Sequence, residues 1–269
     1  MKKKILIYIL IILLIGIIIT LYGVLSSRNI IVNYHEIDKD FELKISHFSD
    51  THFDNSFTED DYMIMVDTIN EEEVDVVFFT GDLFEVDTIS DELEDDIITY
   101  LSKIECNDKF AVLGNHDYSH GEDFTAKVIM ILELSGFIVL QNDSRDRLIN
   151  SEHLRFIGLD DYMYGDRNYD PILDTLDDQY TTFILSHEPD TFNEVIDMNI
   201  TGFYSGHSHG GQVRIPLIGD IVNPPGAKTY NNHHYEFEDK DLFVSFGMGE
   251  TIIKIRFFNH RQFEIYNYS

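Results

Sequence analysis

Cysteine is almost absent from this chain of 269 residues, in which Cys106 is the single one. One thiol excludes an internal disulfide framework and a zinc ribbon built from several cysteines. Basic residues are also scarce: 19 lysines and arginines stand against 49 aspartates and glutamates, which gives a formal net charge of −30. Because nucleic acids and anionic lipids bind to cationic surfaces, this composition argues against a nucleic-acid-binding surface and against a polybasic contact with the membrane.

A long uncharged run follows the amino terminus. Residues 5–25, mostly Ile and Leu, lie between three lysines and Arg28. As a helix this run would extend about 31 Å at ~1.5 Å per residue, enough to cross the bilayer core. The alternative, a cleaved signal peptide, usually has a shorter apolar core and a small-residue cleavage site.

We therefore predict that residues 1–28 form an uncleaved signal anchor. The excess of lysine before the run predicts a cytoplasmic N-terminus, a single pass through the cell membrane and an extracytoplasmic remainder. Without residues 1–28 the chain has a formal charge of −34. About 18 residues, from Ser26 to Leu43, are expected to separate the membrane from the folded domain.

The remainder alternates between strand-like and helix-like patterns and then becomes rich in β-structure. Predicted strands cover residues 43–49, 74–80, 110–113, 155–159, 182–185 and 202–205, and predicted helices follow Thr58 and cover 90–103 and 124–134. Residues 242–246, 252–258 and 262–268 have the pattern of antiparallel β-structure. No repeat or low-complexity linker divides the chain, so we predict one layered α/β domain over residues 29–269.

Polar clusters follow five of the predicted strands. They are Asp50-Thr51-His52, Gly81-Asp82, Gly114-Asn115-His116-Asp117, Ser186-His187-Glu188 and Gly206-His207-Ser208-His209-Gly210-Gly211. In open α/β sheets the carboxyl ends of strands converge where ligands bind. Oxygen and nitrogen donors without thiolate suit a pair of borderline divalent ions such as Mn, Fe, Co or Zn. A carboxylate shared by two such ions would let them hold both the attacking and the leaving oxygen of a phosphoryl group.

Each cluster taken alone has an ordinary structural explanation. Asp-x-His pairs are common on surfaces, Gly-Asp after a strand is usually a turn, and a single histidine such as His187 is more often a buried hydrogen-bonding residue than a metal ligand. Gly-Asn-His-Asp is a rarer sequence, and alternation along an extended segment would place His207 and His209 on one face. The occurrence of all five in order, each at a strand end, favours a metal site.

In this order the clusters resemble the calcineurin-like metallophosphoesterase superfamily. The residues from Gly206 to Pro216 are similar to its small, membrane-associated bacterial branch, and the resemblance extends over about residues 43–258. It implies a four-layer αββα sandwich with a dinuclear metal site at the sheet edge. It also implies that Asp50, His52, Asp82 and His209 hold one divalent ion, and that Asp82, as a bridge, holds the other with Asn115, His187 and His207.

The resemblance makes His116 the proton donor to the leaving group or a phosphate contact. The carboxylate that usually orients this histidine is an aspartate in the family, whereas the chain has Glu85, which is one methylene longer. Arg214 follows two of the predicted ligands closely in a chain with few basic residues, and we expect it to contact the substrate phosphate.

The sequence thus predicts a membrane-anchored phosphohydrolase with two divalent ions. Branch resemblance favours phosphodiester hydrolysis by a metal-bridging hydroxide, with the headgroups of envelope lipids or wall polymers as candidate substrates. A phosphomonoesterase, a pyrophosphate-bond hydrolase and a non-catalytic metal- or ligand-binding surface protein are the alternatives. The sequence does not indicate the metal, the natural substrate or the oligomeric state.

Overall fold

Runs of β-branched and aromatic residues form two six-stranded sheets, which lie face to face. The computed structural model describes residues 2–26, 28–54, 58–215, 218–251 and 256–269. The strands are β1 (Ile30–Ile37), β2 (Leu43–Phe48), β3 (Val76–Phe79), β4 (Asp108–Ala111), β5 (Ile138–Val139), β6 (Asp143–Ile149), β7 (Glu152–Gly158), β8 (Thr181–Leu185), β9 (Gly202–Ser205), β10 (Arg214–Ile215), β11 (Gly219–Asp220), β12 (His234–Glu236), β13 (Asp241–Val244) and β14 (Arg261–Tyr268).

Six α-helices lie in the described part of the chain. They are α1 (Lys2–Ser26), α2 (Glu59–Glu71), α3 (Asp91–Leu101), α4 (Asn115–Tyr118), α5 (Glu122–Leu134) and α6 (Asp170–Leu173). Helices α2 and α3 begin at side-chain caps, Thr58 and Ser90. Helix α2 is the clearest case, because Thr58 and Asp61 form a reciprocal capping box, and the apolar residues at helical spacing are buried. The predictions of helices after Thr58, within 90–103 and within 124–134 are confirmed.

The sheets form the two inner layers of a four-layer sandwich. The first sheet has the order β1-β14-β2-β3-β4-β5 and the second has the order β12-β13-β9-β8-β7-β6. Aromatic and branched residues such as Phe78, Phe110 and Phe156 fill the space between the sheets. Helices α2, α3 and α5 cover the outer face of the first sheet, while α6 and a 3₁₀ turn at Pro189–Glu194 cover the second. The predicted αββα class is confirmed.

The carboxy-terminal strands differ from the antiparallel arrangement that the sequence predicts. Strand β13 is antiparallel to β12 but parallel to β9, and β14 is antiparallel to β2 but parallel to β1. Each of the two strands lies between a strand that the sequence predicts, β9 or β2, and one that it does not predict, β12 or β1. Of the predicted strand 252–258, residues 252–255 lie outside the described part of the chain.

The expected spacer between the apolar helix and the domain is mostly a strand. Helix α1 ends at Ser26 and β1 begins at Ile30. The eight residues of β1 pair in register with β14. The half-exposed sequence of β1 lacks the apolar run by which the other strands were recognised. Among the described residues, one helix, over Lys3–Leu25, is apolar and long enough to cross a membrane, and a signal sequence would have the same character.

Candidate metal centre

The two sheets bring the carboxyl ends of their parallel strands to a common edge. Asp50 follows β2, Asp82 follows β3 and Asn115 follows β4, while His187 follows β8 and His207 follows β9. The structure therefore brings the predicted clusters together from distant positions in sequence, as between His52 and His209, which are 157 residues apart.

The backbone at this edge is held in an unusual conformation. Five predicted ligands have a positive φ of 43° to 63°: Asp50, His52, Asp82, His207 and His209. Residues with a side chain seldom adopt this left-handed region, and such residues cluster at functional sites, where the surrounding structure over-determines them. The bends turn the side chains of these residues inward, and their carboxylates and imidazoles are buried.

The donor atoms form two adjacent groups. In the first, His52 Nε2 lies 3.1 Å from His209 Nε2, which lies 3.3 Å from Asp50 Oδ1. In the second, His187 Nε2 lies 3.2 Å from Asp82 Oδ2 and 3.1 Å from His207 Nδ1. Asp82 Oδ2 is also 3.5 Å from His52 Nε2, so this carboxylate borders both groups.

Backbone carbonyls fix which nitrogen of two histidines faces the centre. His187 Nδ1 donates to the carbonyl oxygen of Thr80 at 2.7 Å, and His207 Nε2 donates to that of Pro225 at 2.8 Å. Because a carbonyl can only accept, each contact places a proton on the outward nitrogen and directs the other nitrogen toward Asp82. Metal-binding histidines in proteins are oriented by contacts of this kind.

Asn115 completes the oxygen donors. Its Oδ1 atom is buried and has no hydrogen-bond partner within the described residues. A buried amide oxygen without a partner is costly, and a cation would satisfy it. Together with a donor set of carboxylates and imidazoles without thiolate, this atom shows that the residues fit divalent ions.

The charges of these groups favour cation binding. Burial and the charge of His187 lower the pKa of His207 to about 4, and burial with the charges of His52 and Arg256 lowers the pKa of His209 well below its usual value. Both imidazoles are therefore neutral at pH 7 and have lone pairs available. Burial opposes protonation of His187, but Asp82 outweighs it and raises the pKa of His187, so a positive charge is favoured beside that carboxylate.

His116 and Glu85 lie at the open side of the centre. Glu85 Oε2 is 3.1 Å from His116 Nδ1 and 2.9 Å from His52 Nδ1, so the longer side chain reaches both rings. Burial disfavours the imidazolium of His116, but the bond to Glu85 and the charge of Asp82 outweigh it and raise the pKa to about 9. His116 thus carries a proton at neutral pH and lines a cavity of about 520 Å³.

Arg214 lies apart from the cavity walls that the described residues form. Its guanidinium stands 5.1 Å from the ring centroid of Phe246, donates to the carbonyl of Gly210 and is 4.0 Å from Asp220. The expected phosphate contact of Arg214 stays a prediction.

Two supporting residues were not found by sequence reasoning. Arg256 is fully buried, donates to the carbonyls of Phe246 and Gly249, and lies 3.4 Å from His209 Nδ1. Asn259 donates to the carbonyl of His209. Both lie outside the five motifs, and no spacing rule connects them to the site.

Asp117 is a third supporting residue, and it lies within one of the five predicted clusters. Its carboxylate accepts from the backbone N–H groups of Asp82, Leu83 and Gly114, each at 2.9 Å. It therefore connects the loop after β3 to the loop after β4.

Comparison with known proteins identifies the class to which this fold and site belong. The calcineurin-like phosphoesterase family model matches residues 43–211, and the chain belongs to this family. Its relatives include the metallophosphoesterase YkuE of Bacillus subtilis, 34% identical over 80% of this chain and 75% of that protein. Phosphodiesterase YaeI of Escherichia coli is 26% identical over 66% of this chain and 65% of that protein.

More distant proteins share the architecture. The UDP-2,3-diacylglucosamine pyrophosphatase LpxG of Chlamydia muridarum is 25% identical over 81% of this chain and 80% of that protein. The structure of the Haemophilus influenzae NAD nucleotidase NadN superposes with a TM-score of 0.51 at 16% identity, covering 76% of this chain and 44% of that one. At this identity the likeness to NadN shows the fold alone.

Proposed function

We propose that the protein is a membrane-anchored phosphohydrolase that uses two divalent ions and cleaves phosphodiester bonds. The observation that carries the proposal is the set of buried donor groups around Asp82, which lies in one group with His52 and His116 and in another with His187 and His207. Membership of the phosphoesterase family supports the same chemistry.

The residues divide into holders of metal and a proton donor. Asp50, His52, Asp82 and His209 would hold one ion, and Asp82, Asn115, His187 and His207 would hold the other. Ions bound there would supply a nucleophilic water at neutral pH and neutralise the phosphoryl oxygens. Since no thiolate is present, Mn, Fe, Co and Zn are the candidates.

His116 would complete the reaction on the opposite side of phosphorus. As the bond from water oxygen to phosphorus forms and the bond from phosphorus to the ester oxygen breaks, the imidazolium would donate its proton to the departing oxygen. Glu85 would hold the ring through Nδ1, leaving Nε2 for the substrate.

The ester class is the least constrained part of the proposal. YaeI is named a phosphodiesterase, which favours a diester, whereas LpxG is named a pyrophosphatase, which keeps a pyrophosphate bond as the second candidate. A phosphomonoester is the third. Helix α1, as an anchor with a cytoplasmic N-terminus, would place the domain on the outer face of the membrane, where lipid and wall-polymer headgroups are candidate substrates.

A two-substrate assay tests the proposal. The full chain in detergent, stripped of metal and resupplied with Mn, Fe, Co or Zn, should hydrolyse bis-p-nitrophenyl phosphate faster than p-nitrophenyl phosphate. Asp82→Asn should abolish turnover and His116→Ala should lower it about 10²–10⁴-fold. His153→Ala, which removes an exposed histidine, should leave turnover unchanged. Turnover of the monoester alone would assign a phosphomonoesterase. Metal binding without turnover of either ester would favour a binding protein.

A further inference from the structure

The cavity beside the metal centre is lined by two unlike sets of residues. The first includes the polar residues Asp82, Asn115 and His116, and the second, named here the apolar wall, comprises Val213, Ile221 and Val222 with two prolines. A phosphate ester with a short polar substituent would leave the apolar wall without a partner. The apolar wall therefore indicates a substrate that has an apolar part next to its phosphate.

The apolar wall continues onto the protein surface. Ile215, Ile218, Ile221 and Val222, named here the apolar rim, are 36%, 74%, 56% and 68% exposed. The described residues outside α1 and the rim also include exposed large apolar side chains. These are spread over five separate segments, and no segment has more than two of them. A cluster of this kind at the mouth of a cavity is typical of a contact surface.

The rim is joined to the end of the apolar helix through one aromatic pair. The ring of Tyr22 lies 5.8 Å from that of Phe258, and Gly23 is packed so closely on Phe257 that a side chain at Gly23 would overlap its ring. Phe257 in turn donates its N–H to the carbonyl of Gln212 and accepts from the N–H of Arg214, the first residue of β10. Helix α1, the rim and the apolar wall are therefore one continuous structure.

We propose that the apolar rim lies in the acyl region of the membrane that α1 crosses, and that the cavity takes the phosphate ester of a membrane lipid. The phosphate lies at the metal centre, and the adjoining carbons of the lipid contact Val213, Ile221 and Val222. This inference rests on the proposed function and narrows its substrate to a lipid rather than a wall polymer.

The charge of the domain excludes electrostatic attraction as the means of holding the rim at the membrane, so that apolar contact must do so. With a formal charge of −34 outside residues 1–28, the domain is repelled by anionic headgroups, and electrostatic attraction cannot hold it at the bilayer surface. Helix α1 and the rim supply apolar contact instead, as membrane-surface segments do.

The absence of tryptophan permits a direct test of the rim. Ile221→Trp introduces the single tryptophan of the full chain, and Leu148→Trp places one at an exposed site on β6 as a control. Both metal-stripped proteins are reconstituted in phosphatidylcholine vesicles with or without dibrominated acyl chains. We expect brominated lipid to quench the tryptophan at 221 at least about twofold and to leave that at 148 unchanged. Equal, weak quenching at both sites would overturn the proposal.

A pair of substrates tests the lipid specificity. Ethyl and hexadecyl p-nitrophenyl phosphate share the reacting bond and differ only in the alkyl chain. We expect the ratio of kcat/KM for hexadecyl over ethyl ester to fall at least about tenfold in the double variant Ile221→Ser, Val222→Ser, because the chain loses its apolar contact. Leu148→Ser should leave the ratio at the wild-type value.

The two tests separate the failure of this inference from that of the proposed function. If wild type hydrolyses both esters with metal and the double variant keeps the wild-type ratio, the function stands and the lipid specificity is wrong. If wild type hydrolyses neither ester with any metal, the proposed function fails, and the lipid specificity fails with it. The quenching result then decides the position of the rim alone.

Discussion

The predicted ligand residues combine an unfavourable backbone conformation with several compensating hydrogen bonds. Asp50, at φ 47°, accepts from the backbone N–H of His207 through both carboxylate oxygens at 3.0 Å. Asp82, at φ 60°, accepts from the N–H of His116 at 2.8 Å. Each carboxylate thus joins one strand end to another, so that strain at one residue is offset by bonds to the next.

At the same scale, Glu85 should control the proton on His116. Glu85→Gln keeps the size of the side chain and removes its charge, so the pKa of His116 falls from about 9 toward its ordinary value. The protonated form is then lost at lower pH, and the alkaline limb of the kcat/KM profile should move to lower pH. We expect kcat to fall about tenfold, against about 10²–10⁴-fold for His116→Ala.

Metal content and a conservative variant provide the controls for this prediction. Both variants should bind as much metal as wild type, measured by elemental analysis, and Glu85→Asp should restore part of the activity. An alkaline limb that stays in place in Glu85→Gln would show that Glu85 does not act on His116.

Most of the candidate site could be predicted at the level of single residues. The predicted ligands lie within short motifs directly after apolar strands, so sequence order and strand termination together indicate that they meet at one edge. Arg256 and Asn259 could not be predicted, because they reach His209 only when β14, which follows them in the chain, pairs within the first sheet. Contacts made by tertiary packing have no local sequence pattern.

At the scale of elements, Asp117 should stabilise the junction between two loops. Its carboxylate accepts three backbone N–H groups from the loops after β3 and β4, and it is fully buried. Asp117→Ala leaves these donors without a partner and should lower the free energy of unfolding by about 2–4 kcal/mol. Urea denaturation in detergent measures the change.

An exposed aspartate provides the comparison. Asp197→Ala removes a solvent-exposed carboxylate and should change the free energy of unfolding by less than about 0.5 kcal/mol. Equal effects of the two substitutions would show that the Asp117 bonds contribute nothing beyond those of a surface residue.

Strand β14 contains a buried carboxyl group that should make stability depend on pH. Burial raises the pKa of Glu264 to about 8, although a bond from Gln262 favours its charged form. The ordinary pKa of this group, which applies to the unfolded state, is 4.5. Between pH 4.5 and about pH 8 the folded state therefore holds a proton that the unfolded state has lost. This stabilisation is complete below pH 4.5 and is lost as the pH rises toward 8, by up to about 1.4 kcal/mol per pH unit.

Glu264→Gln isolates this contribution. The variant has no proton to lose, so its free energy of unfolding should fall less steeply than that of wild type between pH 5 and pH 8. Denaturation curves at several pH values give the two slopes. Parallel slopes would mean that Glu264 titrates alike in the folded and unfolded states.

The edge strand β1 shows why element prediction was incomplete. Its first four residues are half-buried and the rest alternate between exposed and half-buried positions. Its parallel partner β14 is more than 200 residues away in sequence. An apolar run identifies a strand covered on both faces, but an edge strand is specified mainly by its partner. The directions of β13 and β14 also depend on partners that are distant in sequence. The local residue pattern does not specify those directions.

At the scale of the whole molecule, the negative charge of the domain repels the phosphate ester that is proposed as its substrate. A phosphate ester approaches a domain with a formal charge of −34 outside residues 1–28, while the described centre supplies carboxylates as well as the imidazolium of His116. Bound dications would reverse the field locally, because they are the largest charges near the site. Binding of phosphate should therefore depend on metal.

Calorimetry of the full chain with inorganic phosphate measures this dependence. A unit charge at ~4 Å contributes about 4 kcal/mol at an effective dielectric constant of ~20, so removal of the ions should weaken binding at least about 10³-fold. Chelated protein should give no saturable heat, and Mn²⁺ should restore binding in wild type but not in Asp82→Asn. Substantial phosphate affinity of the chelated protein would mean that side chains alone overcome the charge of the domain, with Arg214 the first residue to replace.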